Sequence, residues 1–321
     1  MTHLATHTPP AIACGEVRTC MLPAGNALDE RAATRLLHLR ADERVRISRR
    51  PNRLAVSPDI LTGVDCALPA STGARVRAVG TVTTRALLIE GRVLQSTASF
   101  SLPASGTDRR QPWGYYLARP GSLIPIGRLA EKPVAQGLLG NPQPGLLDVG
   151  SIAESMLARI SQHRILDHDA PLRAADTTLR WTVTTAAADE EPSALFTMAD
   201  ERLRTLELRL PGSTPLIAAA GLCEDLALHD WLLTTVADRL DGLRVSTTDS
   251  RSVLKVLRPL VDHLLHLWMP RARLDPALHS VWDQLEKTPG LSRQWNTLTQ
   301  RVRDQLALHA IRLREEVPTS R

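Results

Sequence analysis

Apolar residues recur at alternating spacings of four and three along residues 215–241. Leu222, Leu226, His229, Leu233, Val236 and Leu240 fall on one stripe of a helix with about 3.6 residues per turn. The boundary signals agree with that period. Ser213 or Thr214 can accept from the free N–H groups of the first turn, Pro215 suits the first helical position, and Gly242 reads as the left-handed residue that closes the far end. Three further stripes follow. Leu254, Leu257, Val261, Leu264 and Trp268 form one, bent at Pro259; Leu278, Val281, Trp282 and Leu285 follow Asp275-Pro276; Trp295, Leu298, Val302 and Leu306 come after the break at Pro289-Gly290. Four helices with short connections predict an antiparallel bundle.

Before Pro211 the dominant period is two. β-Branched residues crowd 76–84 and 87–89, Glu90-Gly91 makes a turn, and 93–102 returns, so a long hairpin is predicted over 74–102. Leu179/Trp181/Val183, Ala194/Phe196/Met198 and Leu206/Leu208/Leu210 alternate with polar neighbours, which predicts three strands of an antiparallel meander. A short strand from Gly15 through Leu22, a helix over 29–39, a strand over 43–48 and helices over 126–139 and 152–161 complete the reading. The fold class is therefore α+β, an antiparallel-sheet region with helices followed by a C-terminal helical bundle. Its parts are a disordered lead-in at 1–14, an α+β domain at 15–211, a four-helix bundle-like domain at 213–315 and a tail at 316–321.

Composition narrows the function classes. With 321 residues, 43% of them hydrophobic, the chain can bury substantial cores. Its net charge of +5 comes from 36 Arg and 3 Lys against 34 acids, and residues 1–110 alone carry an excess of six positive charges. Arg44 and Arg46 share one face of the strand at 43–48, a guanidinium row that phosphates can meet. No aromatic residue is interleaved to stack on bases, so nucleic-acid binding through these arginines ranks third among the readings. The four cysteines are widely spread without close pairs, as expected of reduced thiols in the cytoplasm. No run approaches the roughly 18 apolar residues of a membrane span, and the first ten residues lack the charge and apolar run of a secretion signal. GxGxxG, GxxxxGK[ST] and GxSxG are all absent, so no cofactor and no catalytic residue is assigned.

Two groups of side chains stand out. Glu224-Asp225-Leu226-Ala227-Leu228-His229 is echoed by Asp304-Gln305-Leu306-Ala307-Leu308-His309, each with an acid or amide one turn before a histidine. With His263 on an intervening helix, Asp225, His229, His263 and His309 are the candidate ligands of a metal-dependent hydrolase built in the bundle. Against this, the Glu-x-x-His pattern on paired helices is missing, and Asp225 alone suffices to orient a core histidine. The second group is aromatic. Trp231 lies about 160° round the helix from Leu233 and so faces a second surface, either the α+β part or a partner. Trp113, Tyr115 and Tyr116 either pin a long loop to the core or form a contact surface.

At GEVRTC (15–20), AVSPDILTGVDC (55–66), CEDLALHDWLLTT (223–235), DHLLHLWMP (262–270) and RQW through RDQLALH (293–309), the chain resembles an uncharacterised family of actinobacterial proteins. The resemblance runs from about Gly15 to Leu313. Genes of that family sit beside those for a variant P-loop ATPase and a methyltransferase-like protein. The resemblance implies a cytosolic, non-catalytic binding or scaffold component of a multi-protein system, with partners encoded nearby and the variant ATPase among them. It carries no catalytic residue over to this chain.

Overall fold

The computed structural model describes residues 10–187, 189–244 and 250–315. Residues 1–9 of the expected lead-in and the tail at 316–321 lie outside the described residues. Among the described residues ten strands are formed: β1 (Pro10–Met21), β2 (Arg46–Ser48), β3 (Leu54–Val56), β4 (Ile60–Leu68), β5 (Val76–Ile89), β6 (Val93–Pro103), β7 (Leu123–Pro125), β8 (Thr177–Thr185), β9 (Ser193–Met198) and β10 (Leu203–Leu210). The helices are α1 (Glu30–Leu37), α2 (Trp113–Leu117), α3 (Glu131–Leu139), α4 (Val149–Ser161), α5 (Leu216–Arg244), α6 (Ser250–His263), α7 (His279–Lys287) and α8 (Leu291–Glu315). The protein is α+β, with all ten strands in one mostly antiparallel sheet of order β2-β3-β5-β6-β1-β8-β10-β9, from which β4 and β7 pair with β5.

The hairpin of β5 and β6 forms as expected. Glu90 and Gly91 both take left-handed backbone (φ 48° and 64°), the requirement of a type I′ turn. β1 sits between β6 and β8, antiparallel to both. Its two faces are both covered: Ala13, Val17 and Met21 join the cluster around α5, while Ile12, Cys14 and Cys20 join clusters that contain α4 residues. Gly15 keeps the first of these faces flat, since a Cβ there would meet the Trp181 ring at 2.6 Å. This two-sided burial corrects the expected lead-in. Residues 10–14 are the first part of a central strand, and AIAC shows no alternation because neither face is wet.

The meander is also corrected. β10 pairs antiparallel with β9 but parallel with β8, so β9 is the outer strand and never touches β8. The reason is burial: Leu206, Leu208 and Leu210 of β10 are at most 1% exposed and belong beside Trp181, whereas β9 leaves Leu195 and Met198 exposed and suits an edge.

α5 has the predicted stripe and starts where its signals place it, but it runs through Gly242 to Arg244. Its middle is buried nearly all round, the mark of a helix enclosed on every side. One side lies on β1, β6 and β8, and α6 and α8 pack on others. A single hydrophobic cluster therefore crosses the expected boundary near residue 212, joining Val17, Leu179, Trp181 and Leu206 to Leu222, Leu233, Leu257 and Val302. On α6 the buried residues are Val253, Leu257 and Leu260, continued by Leu264 and Leu267, while Val261 is exposed. Past His263 the chain enters a 3-10 turn, whose three-residue period aligns Leu267 rather than Trp268 with Leu264. No helix among the described residues is long and apolar enough to cross a membrane.

Candidate functional site

Where α5 leaves the sheet beside β2 and β3, two periodicities meet across a cleft of about 300 Å³. Ile217, Gly221, Glu224, Asp225 and Leu228 present one face of α5, spaced by three and four. Opposite them stand Arg85, Leu87 and Ile89, alternate residues of β5, with Gln95 of β6, Arg46 and Ser48 of β2, and Leu54 and Val56 of β3. Arg273, in the segment between α6 and α7, closes one end. A Cβ added at Gly221 would meet nothing within 4 Å, so the absent side chain contributes to the open space.

At the base lies a buried ion pair. Arg85 Nε and Nη2 donate to Glu224 Oε1 and Oε2, both at 2.7 Å, and the two side chains are 10% and 7% exposed. Burial works against the Arg85 charge, but Glu224 outweighs it and raises the guanidinium above its ordinary value. Gln95 Nε2 donates to Thr19 Oγ1 and to the Glu224 carbonyl, both at 3.0 Å, tying helix to sheet beside the pair. Asp225 is held differently. Burial raises its carboxyl above the ordinary range, against the lowering effects of His229, the Arg271 N–H and Arg273. Arg273 Nη2 donates to the Asn52 carbonyl at 2.8 Å, yet its buried Nε has no partner, and burial lowers the group as a whole. Arg46 is exposed and forms no ion pair among the described residues.

Of the four metal candidates, the structure joins Asp225 and His229. His229 Nδ1 donates to the Asp225 carbonyl at 2.6 Å and stands 3.7 Å from its Oδ2. The rest of the imidazole is enclosed by aromatic rings: Trp268 lies edge-on at 4.7 Å and Trp282 at 5.6 Å, with Trp295 stacked on Trp268 at 4.5 Å. His263 lies apart from that pair, in the field of Arg92, Asp262 and His266, and burial and Arg92 lower its pKa. His309 is buried on α8. Among the described residues no three His, Cys, Asp or Glu side chains converge on a common point.

The aromatic candidates divide. Trp231 is fully buried and donates to the Ala175 carbonyl at 2.9 Å, so its second surface is the α+β part of this chain rather than a partner. Tyr116 is also fully buried, and its hydroxyl accepts from the Gln111 N–H at 2.8 Å, which pins the loop. Trp113 is 38% exposed, stacks edge-on to Tyr116 and has Arg110 over its ring; Tyr115 carries Arg119 at 4.0 Å. Several arginines of the N-terminal basic segment are engaged locally, Arg40 with Glu43, Arg49 with Glu30 and Arg53 with Glu90.

Arg85, Gln95, Glu224 and Arg273 escaped sequence reasoning as a set. The α5 spacing and the β5 alternation were visible, but nothing in one sequence matches an arginine to a glutamate 139 residues away. Compared with models of protein families, with curated proteins and with solved structures, the chain matches none, so the functional reading rests on the chemistry of the site.

Proposed function

We propose that the protein is a non-catalytic binding component that holds a small organic ligand in the cleft between α5 and the β2–β3–β5–β6 part of the sheet. The observation that carries this is the division of labour in the lining. The walls are apolar (Leu54, Val56, Leu87, Ile89, Ile217, Leu228), while the buried charges at the base, Arg85 and Glu224, are closed on each other. Among the described residues the lining includes no His, Cys, Lys or Tyr, and its one hydroxyl, Ser48, donates to the Arg50 carbonyl at 3.0 Å. Such a lining favours holding a molecule over attacking one. In this reading the C-terminal helical bundle supplies one wall, and the protein works in the cytoplasm as a scaffold within a multi-protein actinobacterial system. Proteins encoded nearby, a variant P-loop ATPase among them, are the partners to test.

Native mass spectrometry of untagged protein tests the reading. The expected result is an organic adduct released on denaturation and absent from Gly221→Phe, whose added ring occupies the cleft. The same apo mass for both proteins overturns it. Elemental analysis of the same sample tests the rival metal-dependent hydrolase: a stoichiometric transition metal, lost in His229→Ala, replaces the binding reading.

A further inference from the structure

The cleft has a charge preference of its own. Its lining holds three guanidiniums (Arg46, Arg85, Arg273) against two carboxyls (Glu224, Asp225), a net charge of +1 with both carboxyls ionised. The three arginines are not equivalent. Arg85 spends its side-on fork, Nε and Nη2, on Glu224 and has its charge matched there. Arg273 uses Nη2 on the Asn52 carbonyl, has its Nε buried without an acceptor, and lines the cleft with no carboxylate paired to it at close range. Arg46 stands at the mouth without an ion pair among the described residues. Two lining guanidiniums, Arg46 and Arg273, therefore have no close carboxylate partner among the described residues, and most of the other lining residues are aliphatic.

We infer that the ligand is an aliphatic monocarboxylate, its head met by Arg273 and Arg46 and its tail packed against Leu54, Val56, Leu87, Ile89, Ile217 and Leu228. A guanidinium fork matches a carboxylate in plane and in spacing. One net positive charge matches one negative head, whereas a phosphate monoester brings close to two. A cationic head meets two guanidiniums without a close carboxylate partner, and a neutral one gives them no charged acceptor. The inference rests on the cleft being the binding site, and the test separates failure of the one from failure of the other.

Octanoate, octanol, octylamine and octyl phosphate share a tail and differ in head, so isothermal titration calorimetry of this panel reads the two claims independently. Octanoate is expected to bind at least tenfold more tightly than octanol and octyl phosphate, with octylamine weakest. Arg273→Gln and Arg46→Gln should each reduce the advantage of octanoate over octanol while leaving octanol binding in place. The Arg46 side chain makes no hydrogen bond or ion pair among the described residues, so Arg46→Gln leaves the fold intact even if Arg273→Gln does not. Gly221→Phe should abolish binding of all four. Equal binding of octanol and octanoate, an advantage that survives both arginine variants, or a preference for octyl phosphate overturns the monocarboxylate and leaves the cleft standing. No binding of any probe to wild type, or binding unchanged in Gly221→Phe, overturns the cleft itself.

Discussion

Replacing Glu224 by Gln keeps the shape of the side chain and removes its charge, which leaves the largely buried Arg85 guanidinium without its counter-charge. In the wild-type protein the guanidinium makes two hydrogen bonds of 2.7 Å to the carboxylate, with both side chains at or below 10% exposure. The amide of Gln can accept one of these bonds, but its NH₂ then faces a donor. The other charge noted near Arg85, Asp59, is on an exposed residue and screened, so it compensates little. Breaking a buried pair from one side costs about 3–5 kcal/mol. Removing both charges, as Arg85→Met with Glu224→Leu, should be roughly neutral or stabilising by about 1–4 kcal/mol, because neither ion then has to be desolvated. Urea unfolding followed by tryptophan fluorescence measures both, since Trp181 and Trp231 are buried in the same cluster. The exposed pair of Arg258 and Asp262 is the control, and Asp262→Asn should change stability by less than about 1 kcal/mol. A loss below about 1 kcal/mol in Glu224→Gln, or a double variant as unstable as the sum of its singles, refutes the claim that this pair is desolvated and coupled.

Three further outcomes are expected. Leu233, 6% exposed in the cluster that joins α5 to the sheet, should cost about 2–5 kcal/mol when truncated to Ala, and an unchanged urea midpoint would place it outside the core. Of the four thiols only Cys66 is partly exposed; burial raises all four, Cys14, Cys20 and Cys223 well above the ordinary thiol range, so native protein should react slowly with a disulfide reagent at Cys66 and at the others only after unfolding. The raised carboxyl of Asp225 means that the folded state holds this proton more tightly than the unfolded chain does. Its contribution to stability is full below the unfolded pKa and is lost as pH rises through the folded one, so Asp225→Asn should gain on wild type from acid towards neutral pH; a stability difference that stays constant or moves the other way over that range contradicts this.

What the sequence made legible was what is local. The signals at 213–215 start α5 at the right turn, and Glu90-Gly91 closes the hairpin, Gly91 with the left-handed backbone that glycine favours. What escaped depends on which surfaces meet. Strand alternation looks the same in parallel and antiparallel pairs, so Leu206, Leu208 and Leu210 announced a strand without revealing that it lies parallel to β8. A run such as AIAC, buried on both faces, carries no period at all and passed for a tail. The echo ending at His229 and His309 reflects two helices rich in Leu and Ala. The tryptophans assigned to the core, Trp268 and Trp282, are the groups that enclose His229, where a metal reading needs further ligands.

The pair at the base of the cleft bears on function because stability alone gives no reason for it. If a Met and Leu in place of Arg85 and Glu224 serve the fold as well or better, as hydrophobic replacements of buried pairs often do, then the charges need another role. Geometry suggests one. The pair and Gln95 join the α5 backbone to β5, β6 and Thr19 of β1, fixing the distance between helix and sheet at the point where the cleft opens. A helix held only by aliphatic contacts can slide by a fraction of a turn with small loss; one held by a bidentate pair has a single register. The double variant should therefore keep its stability and lose octanoate affinity by tenfold or more, since the walls no longer stand at a fixed spacing. Unchanged affinity in a stable double variant would make the pair irrelevant to the cleft and return it to the fold.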